Sequence, residues 1–131
     1  MGDNGSMLGF VLVALGGALG SVARYGMAVA AGRWFGTGFP FATLFVNVTG
    51  SFAMGVLIEL IARHFSTLPE VRLFLAVGVL GGYTTFSSFS LDAIALWEGG
   101  QQAVAILYIL LSVVVGLAAL MAGAALVRQL G

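Results

Sequence analysis

Four long apolar runs decide most of what this chain can become. Residues 7–31 carry one charge, Arg24; residues 41–62 carry one, Glu59; residues 73–97 carry one, Asp92; residues 103–127 carry none. Each run exceeds the ~20 residues an α-helix needs to cross a ~30 Å hydrocarbon core. In that medium every backbone N–H and C=O must be satisfied internally, which a helix does within its own segment. The pattern predicts an all-α membrane protein with one domain over 7–131 and spans at about 7–31, 41–62, 71–97 and 101–128. Met1 to Ser6 read as a polar leader outside that domain.

The links agree with this division. Pro40 and Pro69 suit helix starts, where a missing N–H costs nothing. Gly99 and Gly100 suit a helix end. Charged residues make up 8% of the chain, against about 25% in a soluble domain. Net charge is zero, so nothing in the chain solicits nucleic acid. With no cysteine, disulfide and thiolate chemistry are excluded. The single His64 falls in a link and is read as solvated. No nucleophile–base pair is evident, so an enzyme is not expected.

Small residues recur at four-residue spacing: Gly16 with Gly20, Gly78 with Gly82 and, more loosely, Ser112 with Gly116. Such faces let helices approach closely, within a subunit or between subunits. Four helices enclose little space, so a transport path implies an oligomer.

Polar groups inside the runs are the main functional signal, because lipid makes them costly. Thr43, Asn47, Ser51, Gly55 and Glu59 follow one another at i+4 steps and form one stripe. Asn47 is either a bond between helices or a donor to a ligand. Glu59 stands four residues before Arg63, the favourable order for an ion pair. Arg24 either draws anions to a vestibule, anchors on carbonyls or snorkels outward. Asp92 is read as solvated at the interface or paired with Arg24. Tyr108 and Ser112 put two hydroxyls on one face of the fourth run, and Gly116 follows.

The segment GGYTTFSSFS at 81–90 is the least lipid-like. Gly81 and Gly82 weaken a helix, and the Thr84 and Thr85 hydroxyls can replace its hydrogen bonds. The third helix is therefore expected to break in mid-membrane. A break exposes carbonyls that suit a cation and N–H groups that suit an anion. Phe86 and Phe89, three apart, share a face, and aromatic ring edges are positive.

These motifs resemble the small bacterial fluoride channels of the Fluc family, also called CrcB. GGYTTFSSFS resembles that family's third-helix signature. GxxxGSVARY at 16–25 resembles its first-helix segment, and FATLFVNVTGSFAMG at 41–55 its second-helix segment. The resemblance extends over essentially all of 7–128. It implies an antiparallel, dual-topology homodimer in the bacterial inner membrane, with two pores for passive fluoride export. It implies that Asn47, Phe86, Phe89, Ser88, Tyr108 and Ser112 line the fluoride path and that Arg24 serves the vestibule. It also implies a structural Na⁺ on the dimer axis, held by the carbonyls of Gly81 and Thr84. Gly116 departs from the pattern, where the polar track is expected to continue with a hydroxyl.

Two other readings need features that are weakly met. A small multidrug-type exporter needs a membrane-embedded carboxylate, yet the first run has none and Glu59 lies near an end. A non-transporting scaffold gives no reason for the Asn47, Phe86 and Phe89 set.

Orientation follows from charge. Both termini and the 63–72 link share a side, which carries Arg63, Arg72 and Arg128; the other side carries Arg33, with Arg24 if it snorkels. This positive-inside bias is weak. A reporter fused to the C-terminus is expected on both faces of the membrane; detection on one face alone would exclude dual insertion.

Overall fold

Four bands of helix follow the four runs, and the third is made of two helices separated by an extended step. The structure, a computed structural model, describes residues 5–131. Helix α1 is Met7–Phe35 and α2 is Phe41–His64. The third band comprises α3, residues 69–83, and α4, Phe86–Glu98. Helix α5 is Gln102–Leu130. All four bands are long and apolar enough to cross a membrane.

The ends have local causes. The Ser6 hydroxyl accepts a hydrogen bond from the Gly9 N–H at 3.1 Å and caps α1. Ser6 is thus the start of the first helix rather than part of a leader. The leader's first four residues lie outside the described residues. Helix α1 runs past the expected end near residue 31, because a single glycine such as Gly32 costs a helix only ~1 kcal/mol. The stop is Gly36, whose φ of 72° is a left-handed conformation; its N–H bonds the Gly32 carbonyl. Pro40 precedes α2, Pro69 opens α3, and Gly99 with the positive-φ Gly100 closes α4, as expected.

The expected break is present but lies later than the glycines. Gly81 and Gly82 are helical, and the residues that leave the helix are Thr84 (φ −82°, ψ 157°) and Thr85 (φ −152°, ψ 116°). Upstream, Arg72–Leu80 is wound as a π-helix, which widens α3 before the break.

Gly82 serves packing instead, as Gly78 does one turn earlier. Helix α1 packs chiefly on α3, and α2 on α5. A methyl group on Gly78 would stand 2.9 Å from the Gly16 Cα, and one on Gly82 would stand 2.6 Å from the Gly17 carbonyl oxygen. The two strict GxxxG faces therefore meet each other inside the subunit. Gly55 and Gly123 do the same for α2 and α5, each abutting the other helix's backbone. The buried apolar side chains are mostly small: Val46, Ala76, Ala93, Ala105 and Val127, with Tyr108 the large exception. Large residues such as Phe10, Leu19, Leu110 and Met121 point outward. That is the arrangement lipid favours, because apolar side chains gain nothing by hiding from hydrocarbon and close backbone contact does the holding.

Gly78→Leu is expected to lower stability by about 1–3 kcal/mol through overpacking. Gly26 should tolerate the same change, since an added methyl there would meet nothing within 4 Å among the described residues. Unfolding of both variants in detergent, followed by circular dichroism, checks the contrast.

Candidate functional site

The site is built on the interruption between α3 and α4. A continuous helix would send the Thr85 N–H to the Gly81 carbonyl and the Ser88 N–H to the Thr84 carbonyl. Neither bond is made that way. The Thr85 N–H donates to Asn47 Oδ1 at 2.7 Å, and Asn47 Nδ2 donates to the Thr85 carbonyl at 3.0 Å. The Ser88 N–H donates to Thr85 Oγ1 at 3.1 Å, which makes Thr85 the N-cap of α4. Gly81 and Thr84 are left with carbonyls stripped of their helical donors. Leu80 loses nothing, since its carbonyl accepts from both the Thr84 N–H and the Thr84 hydroxyl, each at 3.0 Å.

Arg24 takes part in the same repair. Its Nε donates to the Gly82 carbonyl at 3.0 Å, so the anchoring reading of this arginine has a definite partner. Arg24 also borders a cavity of about 130 Å³ with Thr43, Thr85 and Ser88. Asn47 makes the bond between helices that one of its two readings expected. One of its two N–H donors is spent on Thr85, and its side chain borders a second cavity.

That second cavity, about 390 Å³, is bordered by Asn47, Ser51, Thr85, Phe86, Phe89 and Ser112. The Phe86 and Phe89 rings stand 5.6 Å apart, centre to centre, and Phe89 lies 5.4 Å from the Tyr108 ring. Tyr108 is buried and donates its hydroxyl to Asp92 Oδ2 at 3.1 Å, so Asp92 pairs with Tyr108 and not with Arg24. Ser112 Oγ is fully shielded and has no hydrogen-bond partner among the described residues. An unpaired hydroxyl in an apolar span is costly, so it marks a place where a ligand or water is expected.

The predicted residues therefore divide into groups. Asn47, Phe86, Phe89 and Ser112 share one cavity, with Tyr108 stacked behind Phe89. Ser88 falls on the other side, with Arg24, because α4 turns it away from the phenylalanine face. Gly81 and Thr84 sit at the break itself. Two polar residues bordering the larger cavity escaped the sequence reading of the site: Thr85, which touches both cavities, and Ser51. Ser51 was signalled by its place one turn after Asn47. Glu59, at the far end of the same stripe, binds Arg63 at 3.3 Å as expected, and also Arg128 at 3.0 Å.

The sequence is similar to known proteins over most of its length. A family model described as "CrcB-like protein, Camphor Resistance (CrcB)" matches residues 11–124. The chain is 53% identical over 124 residues to the "Fluoride-specific ion channel FluC" of Chelativorans sp. (strain BNC1), an alignment covering 95% of this chain and 99% of that protein. A protein of the same name from Agrobacterium fabrum is 54% identical over the same shares of both chains. One from Rhodospirillum centenum is 55% identical over 88% of this chain and 92% of its own.

Asn47→Ala removes both bonds to Thr85 and should lower stability by about 2 kcal/mol, at roughly 1 kcal/mol per bond. Amide exchange should quicken at Thr85 first. Unchanged protection there would contradict the role given to Asn47.

Proposed function

The chain belongs to the CrcB family, and from that membership we propose that it is a fluoride-selective channel of the bacterial inner membrane, a multi-pass protein and not an enzyme. The observation that carries this reading is the convergence of Asn47, Phe86, Phe89 and Ser112 on one cavity beside a broken helix. Fluoride is small and strongly hydrated, and a pore must replace its water with short-range donors. The free Asn47 N–H, the Ser112 hydroxyl and the ring edges of Phe86 and Phe89 are groups of that kind. Arg24 and Ser88 border the approach, where a fixed positive charge raises the local anion concentration. The task is passive export: fluoride that entered as HF and dissociated inside leaves down its gradient.

The working unit is an antiparallel homodimer with two pores. Supporting this, Phe86 is 78% exposed on the single subunit and its cavity opens to the surface, so one copy lines only part of a path. The weak charge bias permits insertion in both orientations. A structural Na⁺ belongs at the dimer axis, held by the Gly81 and Thr84 carbonyls. The donor set fits, since a hard cation takes oxygen ligands and these two carbonyls have lost their helical donors. Bound there, Na⁺ supplies a fixed positive charge. The exporter reading loses ground, because Glu59 is engaged by two arginines and Asp92 by Tyr108.

In liposomes read with a fluoride electrode, the protein should release fluoride and retain chloride. Phe86→Ile and Phe89→Ile should each cut fluoride release at least tenfold, an order-of-magnitude loss equal to ~1.4 kcal/mol on the barrier, with the dimer intact by gel filtration. Normal release in both variants would remove the pore assignment. Purification with a bulky organic cation in place of Na⁺ should inactivate the protein, and full activity would count against the structural ion.

A further inference from the structure

Helix α5 presents Tyr108, Ser112 and Gly116 on one face at successive i+4 steps, about 6 Å apart along the axis. The first two carry hydroxyls and the third carries no side chain. The gap at Gly116 faces a hydroxyl. A Cβ built on Gly116 meets nothing nearer than the hydroxyl of Ser51, at 3.9 Å. Ser51 comes from the facing helix α2, one turn beyond Asn47, and borders the same cavity as the shielded Ser112 hydroxyl. Position 51 lies about 15 Å into α2, at 1.5 Å per residue, so it is deep in the span.

A serine hydroxyl can bond back to the carbonyl four residues earlier, which would spend it locally. Thr49 and Ser90 do this, with Phe45 and Phe86 respectively. No such bond is made by Ser51 among the described residues, and its hydroxyl faces α5 at the empty position.

We propose that Ser51 is a fluoride-binding residue, supplying from α2 the hydroxyl that α5 lacks at Gly116. The path then runs from the Asn47 amide and the Phe86 and Phe89 edges to a pair of hydroxyls, Ser112 and Ser51, contributed by two different helices. This rests on the fluoride-channel reading of the same cavity.

Fluoride release from liposomes tests it, with unaltered protein measured alongside. Ser51→Ala should reduce release several-fold, and adding Gly116→Ser should restore most of it by returning a hydroxyl from the opposite helix. A second pair controls for folding: Ser51→Thr and Ser51→Val have nearly the same shape, and only the threonine variant should keep release near the unaltered level. Equal release by the threonine and valine variants, or a Ser51→Ala loss that Gly116→Ser does not repair, overturns the assignment. If the unaltered protein releases no fluoride, the channel reading itself fails, an outcome distinct from a conducting protein indifferent to Ser51.

Discussion

Everything distinctive in this fold depends on one side chain answering two backbone groups. Asn47 accepts from the N–H of Thr85 and donates to its carbonyl. In lipid an unpaired peptide group costs several kcal/mol, so a helix cannot simply stop halfway across. The Asn47 amide substitutes for the helical partners that Thr85 gives up. Thr85 then caps α4 with its own hydroxyl, and Arg24 and Thr84 take up two further carbonyls. Around the break, the carbonyls of Gly81 and Thr84 keep no hydrogen-bond partner among the described residues.

Those two unmet carbonyls and the orphaned Ser112 hydroxyl are where polar chemistry remains available. Both kinds of group are held beside the same break, where Thr84 and Ser112 border one cavity. The close packing of α1 on α3 makes this possible. Gly16 against Gly78 and Gly17 against Gly82 bring the α1 and α3 backbones into contact up to the last turn of α3. A loosely packed half-helix would let the carbonyls turn toward any neighbour, and the donors of a selective site must stay where they are put.

The α2 stripe shows how one helical face can carry several tasks. Asn47 secures the break, Ser51 faces the gap in α5, Gly55 brings the two backbones together, and Glu59 ties Arg63 and Arg128 at the membrane face. The i+4 spacing was readable, and so was the Glu59–Arg63 pair, because both are local. Arg128 as a second partner was not, since it arrives from a helix 69 positions away in the chain. Asp92 failed in the same way: its true partner, Tyr108, sits across the 98–102 link.

Sequence alone determined the number of spans, their helical nature, most of their ends and the existence of a break, because lipid enforces backbone satisfaction segment by segment. It also determined the phenylalanine pair, whose spacing places both rings on one face. Tertiary structure decided the rest. It moved the break from Gly81 and Gly82 to Thr84 and Thr85, because the contact of Gly82 with Gly17 of α1 needs that turn to remain helical, while Asn47 supplies Thr85 with partners for both its N–H and its carbonyl. It also separated Ser88 from the phenylalanine cavity and brought Ser51 into it. Those assignments depend on how two helices face each other, and spacing along one helix carries no record of that.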